Sequence, residues 1–158
     1  MSVDADTFRS VLGRFASGVT VVTAIGLDGA DEGMTVSSFC SLSLEPPLVL
    51  ICIDRTAAMF ESLGRVSHFI AQILSESQEA IARRFSGPDP NRFDGIGYTR
   101  GPRDIVVLDD VLGFLVCRRV SSHREGDHCI YVGEVEEAIS YEGRPLLYYR
   151  SGYAQLER

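Results

Sequence analysis

The chain has 158 residues, 45% of them apolar, and a formal net charge of −7. That length suits one domain over residues 1–158, with enough apolar material for a core, which excludes intrinsic disorder. The acidic balance excludes non-specific nucleic-acid binding, which needs clustered cations to neutralise phosphates. Every one of the 15 basic residues is arginine. No lysine can therefore form a Schiff base, and an anion site has to use arginine, hydroxyls or backbone amides.

The opening MSVDADTF is acidic and lacks the apolar run of a secretory signal. No stretch of about 18 apolar residues follows, so no membrane span is expected and the location expected is cytoplasmic. Phe8, Val11, Leu12 and Phe15 follow helical spacing, with Asp4 or Asp6 as cap and Gly18 as the end. Residues 19–25 are β-branched and apolar, a buried strand. A polar, glycine-rich connection over 27–33 leads into a second strand over 34–44, which Pro46 and Pro47 end. A fully apolar third strand covers 48–53, a short helix 56–63 and a fourth strand 69–74.

Ser75 and Gln78 have the spacing of a capping box, opening a helix that runs to about Phe85. A turn-rich loop covers 87–92. Strands are expected at 104–108, 112–121, 129–138 and 146–150, with a hairpin across 121–128. Many strands of similar length with few short helices suggest a mainly β fold, a closed barrel or a β-sandwich. Periodicity does not separate the two.

Cys40, Cys52, Cys117 and Cys129 form no C-x-x-C pair, and the three histidines do not complete a zinc-ligand spacing. Each cysteine reads as a small buried hydrophobe in a reducing compartment. The segment 33–48 is the most informative. Thr35, Ser37, Ser38, Ser41 and Ser43 place five small hydroxyl side chains within nine residues, ahead of a double proline and an apolar strand. With little side-chain bulk, its backbone and hydroxyls can approach a flat ligand with a polar edge. Read as one strand, Thr35, Ser37, Phe39 and Ser41 share a face, and Cys40 points away. Downstream, Gly126 and Asp127 shape a turn that delivers His128.

These segments, in order, resemble the flavin reductase family, and within it the small reductase components of two-component flavin-dependent monooxygenases. The resemblance rests on FASGVTVVTA (15–24), GMTVSSFCSLSLEPPLVL (33–50), ARRFSG (82–87), RF-x-G (92–95), GDH (126–128) and PLLYYRSGY (145–153), and it spans Phe8 to Leu156. It implies a split β-barrel that binds flavin, usually as a homodimer. It lays Thr35, Ser37, Ser38, Phe39, Cys40 and Ser41 along the isoalloxazine, whose pyrimidine edge needs donors and acceptors. Cys52, Asp54, Arg55 and Thr56 end the third strand near the site. Arg55 suits a phosphate, and Thr56 adds a hydroxyl while capping the following helix. Many relatives carry serine or a further basic group where this chain has Ala57, Ala58 and Met59, a departure in the phosphate shell.

Arg84 and Phe85 close the capped helix in a region that the resemblance places near the flavin. Gly126, Asp127 and His128 are implied at the nicotinamide, with His128 in the catalytic-site role, and Tyr153 borders the same pocket. His128 need not act as acid or base, because hydride transfer proceeds once the two rings stack. No G-x-G-x-x-G follows a strand, so nicotinamide has to stack on the flavin in a shallow groove, which implies modest affinity. The expected activity is an NAD(P)H:flavin oxidoreductase, with FMN or FAD reduced by NADH or NADPH and the reduced flavin supplied to a separate monooxygenase. A non-catalytic flavin-binding or electron-relay protein is the alternative. An oxidase of the pyridoxamine-phosphate type is disfavoured by the absence of lysine.

Overall fold

The computed structural model describes residues 1–157. In chain order it contains α1 (Ala5–Leu12), β1 (Ser17–Gly18), β2 (Thr20–Ile25), β3 (Asp31–Val36), β4 (Phe39–Leu44), β5 (Pro47–Asp54) and α2 (Phe60–Leu63). There follow β6 (His68–Ile73), a 3₁₀ turn (Glu76–Gln78), α3 (Glu79–Ser86), β7 (Tyr98–Arg100), a second 3₁₀ turn (Pro102–Asp104) and β8 (Val106–Leu108). The chain closes with β9 (Gly113–Glu125), β10 (His128–Ser140), β11 (Leu146–Tyr149) and β12 (Gly152–Gln155).

Seven strands form one antiparallel sheet in the order β3-β2-β6-β9-β10-β5-β4. Its two edge strands, β3 and β4, are consecutive in the chain. The sheet therefore curls until Ser37 and Ser38 step from one edge to the other, and the barrel stays open along that seam. A small sheet, β1-β11-β12, lies beside the seam.

The run of apolar residues in β2 has a simple cause: both faces are buried. Val22 and Ala24 face the barrel interior with Val49, Ile51, Ile53, Phe69 and Tyr131. Val19 and Val21 face an outer core with Phe85, Val106, Leu108 and Leu146. β5 instead alternates, burying Val49, Ile51 and Ile53 while Leu50 and Cys52 face out. Inside the barrel, a Cβ on Gly133 would stand 2.8 Å from the Cys117 Cβ and 2.9 Å from the Phe69 ring. Only glycine fits beside the β-bulge there.

Several boundaries depart from the sequence reading. α1 is capped by Asp4, which accepts from the Thr7 N–H at 2.9 Å, but it ends at Gly13 rather than Gly18. Residues 17–18 are drawn into β1 by pairing with Tyr148 and Leu147. The strand expected over 34–44 is two strands on opposite sheet edges, so Thr35 and Ser41 do not share a face. The helix expected from Thr56 starts at Phe60, because Asp54 captures both the Thr56 N–H and its hydroxyl at 2.8 Å and holds 54–56 in a turn. Thr56 therefore caps no helix. The expected β9–β10 hairpin is longer than predicted, and its turn shrinks to Gly126–Asp127, with Gly126 at φ 60. The capping box holds: Gln78 Oε1 accepts the Ser75 N–H at 2.9 Å.

Candidate functional site at the barrel seam

Ser37 and Ser38 lie between the last β2–β3 pair, Thr20 with Val36, and the first β4–β5 pair, Phe39 with Ile51. Two hydrogen bonds fasten this step to β5. The Ser38 hydroxyl donates to the Cys52 carbonyl at 2.6 Å, and the Cys52 N–H donates to the Ser38 carbonyl at 3.0 Å. Beside it opens a groove of about 560 Å³. Ser37, Ser38, Phe39, Cys40 and Cys52 line it, with Leu50, Tyr148 and the Phe8 and Leu12 side of α1. Cys40, expected to point away, turns towards the groove because β4 begins a new face after the step. Burial pushes the Cys52 thiol up, so it is a neutral wall here.

A smaller cleft of about 200 Å³ adjoins the groove and shares Ser37 with it. Thr35, Ser86, Tyr148 and Tyr153 line this cleft. The Thr35 hydroxyl donates to the Ala82 carbonyl at 2.6 Å, tying β3 to α3. Tyr153 stacks under the Arg83 guanidinium, 4.9 Å from its ring centre, and burial raises its phenol.

His128 pairs with Asp54 in the β5–β10 ladder, two residues beyond Cys52, or roughly 7 Å along the strand. The hairpin turn thus sets Gly126, Asp127 and His128 beside Asp54, Arg55 and Thr56. Asp127 Oδ1 lies 2.7 Å from His128 Nδ1, and the Arg55 N–H donates to the Asp127 carbonyl at 3.0 Å. Asp54 is held below the usual carboxylate range, first by the Thr56 N–H and then by the Thr56 hydroxyl, with His128 and Arg55 adding to it.

Three expected site residues sit elsewhere. Ser41 is exposed on β4 opposite Val49, outside the groove lining. Phe85 is 1% exposed, its ring edge-on to Phe93 at 5.1 Å; its apolar surface is used by the outer core. Arg84 donates to the Asn91 carbonyl at 2.7 Å and lies 3.7 Å from Asp89, turned into the 87–95 loop. The resemblance set Arg150 and Gly152 with Tyr153 in a segment bordering the nicotinamide pocket, but the sequence reading missed the α1 face and the turn that Arg150 and Ser151 make, which also line the groove. A signal for that turn is present, since Arg150, Ser151 and Gly152 separate Tyr148-Tyr149 from Tyr153, a glycine-containing three-residue spacing of a hairpin connection.

A family model described as the flavin reductase like domain matches residues 12–157. The chain belongs to this family. It is 39% identical over 157 residues to the reductase subunit HsaB of a flavin-dependent monooxygenase from Rhodococcus jostii, spanning 99% of this chain and 80% of that one. It is 36% identical over 152 residues to the FMN reductase (NADH) SmoA of Agrobacterium fabrum, spanning 96% and 86%. Among solved structures, the NADH:FAD oxidoreductase of Streptomyces globisporus in complex with NAD and FAD fragments superposes with a TM-score of 0.92 at 32% identity. That match covers 99% of this chain and 97% of the other. The fold is therefore the split β-barrel of the flavin reductases, and the sandwich alternative falls away.

The seam residues fit a flavin nucleotide. Leu50 and Tyr148 offer an apolar surface for a flat ring, and the Ser37 and Ser38 groups offer a polar edge; Phe39, opposite the buried Ile51, packs against the inner core at the groove's edge. The groove's volume falls within the range of ligand pockets, about 300–1,000 Å³.

Proposed function

We propose that this protein is an NAD(P)H-dependent flavin reductase that acts at the barrel seam. It reduces FMN or FAD with NADH or NADPH and supplies the reduced flavin to a separate flavin-dependent monooxygenase. The observation that carries this reading is the seam itself. An apolar groove with a hydroxyl edge at Ser37–Ser38 runs along β5 towards an imidazole held on a fixed turn. The three relatives above, reductases of flavin with NADH or of a monooxygenase system, support it.

A bound flavin supplies the redox chemistry, accepting two electrons from reduced nicotinamide. The chain supplies position. Leu50 and Tyr148 would pack against the ring, and the Ser37 hydroxyl, exposed at the seam, would meet its polar edge. Asp127 Oδ1, 2.7 Å from His128 Nδ1, fixes the orientation of the ring and leaves Nε2 free to meet a ligand. That nitrogen would hydrogen-bond the carboxamide of a bound nicotinamide. Asp54, fixed by Thr56, holds the turn in place. Phe8 and Leu12 on α1 exclude water from the apolar side.

Residues 1–158 act as one domain in this reading, and two such domains form a homodimer. Support comes from apolar surface left bare on the single chain: Phe8, Val11 and Leu12 of α1 and Phe15 just beyond it are all exposed, as is Leu44 at the sheet edge. No helix among the described residues is long and apolar enough to cross a membrane. The four cysteines are free, which suits a reducing cytoplasm.

The test is steady-state oxidation of NADH and NADPH by the purified protein with added FMN or FAD. Flavin-dependent turnover is expected. Tight flavin binding with no nicotinamide consumption overturns the reading in favour of a flavin carrier. Light scattering at micromolar concentration tests the dimer, and a monomer mass overturns that part.

A further inference from the structure

The charged residues that line the seam groove are two arginines, Arg9 and Arg150, and no carboxylate appears among its described lining residues. This is unexpected in a chain with 22 acidic and 15 basic residues. The cation expected from the sequence, Arg55, stands at the hairpin turn beside His128. It lies outside the groove lining, flanked by Asp54 and bonded through its N–H to the Asp127 carbonyl. Arg9 is spread along the exposed face of α1, 3.3 Å from Asp6. No carboxylate pairs with Arg150 among the described residues.

The backbone under Arg150 is unusual. Arg150 and Ser151 both have positive φ, 50 and 63, a left-handed conformation that side-chain-bearing residues other than asparagine and aspartate avoid. They form the two-residue turn between β11 and β12, where Tyr149 pairs with Gly152. Asparagine and glycine are the usual occupants of such a turn. The turn is bolted to the end of α1, because the Arg150 N–H donates to the Gly13 carbonyl at 2.9 Å. An arginine kept where the backbone disfavours it, on a fixed turn at the rim of a groove, points to a use for its guanidinium.

We propose that Arg150 is the anion clamp of the seam groove, pairing with phosphate oxygens of the nucleotide bound across Ser37–Cys40. This rests on the flavin reductase reading. The planar fork of the guanidinium matches two phosphate oxygens at once, and the apolar groove beside it strengthens the pairing. The phosphate belongs to FMN, FAD or the nicotinamide dinucleotide, and all three present the same chemistry to Arg150.

Arg150→Asn tests the clamp without disturbing the turn, because asparagine tolerates left-handed backbone. Its thermal midpoint should match or exceed that of the wild type. Binding of at least one phosphate ligand should weaken by about tenfold to a hundredfold, the value of a hydrogen bond to a charged group. Arg150→Lys should recover part of the loss. Titrations with FMN and FAD and the KM for NADH identify the source: a loss for FMN marks the flavin monophosphate. A loss for FAD alone marks its pyrophosphate, and a loss for NADH alone marks the second dinucleotide. Riboflavin, which has no phosphate, should bind both proteins equally.

Unchanged affinity for all three ligands overturns the proposal. So does equal weakening for riboflavin, or a loss of binding that merely follows a fall in thermal stability. The parent reading fails separately, if the wild-type protein itself shows no flavin-dependent NADH oxidation.

Discussion

Replacing Ser38 separates its two roles, fastening the seam and edging the groove. Ser38→Ala removes the hydroxyl that donates to the Cys52 carbonyl at 2.6 Å but leaves the reciprocal backbone bond at 3.0 Å. A neutral hydrogen bond contributes about 0.5–1.5 kcal/mol net, and Ser38 is exposed, so the loss should sit near the lower end. For a domain of this size that lowers the thermal midpoint by about 1–4 °C. Ser38→Leu loses the same bond and also pushes apolar bulk into the groove. Displacing the ring edge from a polar partner costs about 1–3 kcal/mol, or roughly fivefold to 150-fold in Kd for flavin. Calorimetry and flavin fluorescence titration read the two effects independently. A folded Ser38→Leu protein with the wild-type flavin Kd would refute the placement of flavin against this step.

Gly33→Ala should cost about 1–3 kcal/mol in urea unfolding, because its Cβ would stand 2.7 Å from the buried Phe85 ring and 3.0 Å from Phe93. Gln72→Leu should cost about 2–4 kcal/mol: it strips the Leu108 N–H of its acceptor at 2.7 Å and the Thr23 hydroxyl and Val106 carbonyl of a donor, all buried. His128→Ala should raise the KM for NADH or slow stopped-flow flavin reduction while flavin affinity stays nearly constant. Wild-type reduction rates across all NADH concentrations would leave His128 a purely structural residue. Acid should destabilise the fold partly through Glu136, whose carboxyl His68 and then Arg103 hold below its ordinary value. A lowered folded pKa stabilises above the unfolded value, so this contribution is lost as pH falls below about 4.5. Glu136→Gln should flatten the thermal midpoint against pH in that window.

Elements with a strong local signal were legible in the sequence. β2, β5 and β6 were found because continuous or alternating apolar runs report burial directly. The Ser75–Gln78 capping box and the β9–β10 hairpin carry their own chemistry. β7 was missed because all three residues, Tyr98, Thr99 and Arg100, are exposed and the strand exists only by pairing with β8. The break at Ser37–Ser38 was missed because both halves of 34–44 favour extended backbone; only tertiary pairing sends them to opposite edges. The site followed the same division. Ser37 to Cys40 lie beside Cys52, though Cys40 was expected to point away, and His128 lies beside Asp54 to Thr56. Phe85, which the resemblance places near the flavin, fills the outer core instead. Arg150 carries no periodic signal at all, since its significance lies in a backbone conformation.

The position of the groove follows from the strand order. β3 and β4 lie at opposite edges of the curled sheet but follow one another in the same direction across only two residues, so they run end to end rather than side by side and the ladder stays open between them. An unpaired edge is a liability unless something covers it. Here the crossing residues are small and polar, and Ser38 satisfies two backbone groups of Cys52. The same choice leaves no bulk above the seam. A flat ligand can lie where the missing ladder would have been, with backbone on one side and α1 on the other. Larger side chains at 37 and 38 would fill the opening and bury the edge without any ligand. The hydroxyl run is therefore read best as the means of keeping the barrel open, with ligand binding as its consequence. That ordering predicts that Ser38→Leu should lose flavin affinity by far more than it loses stability.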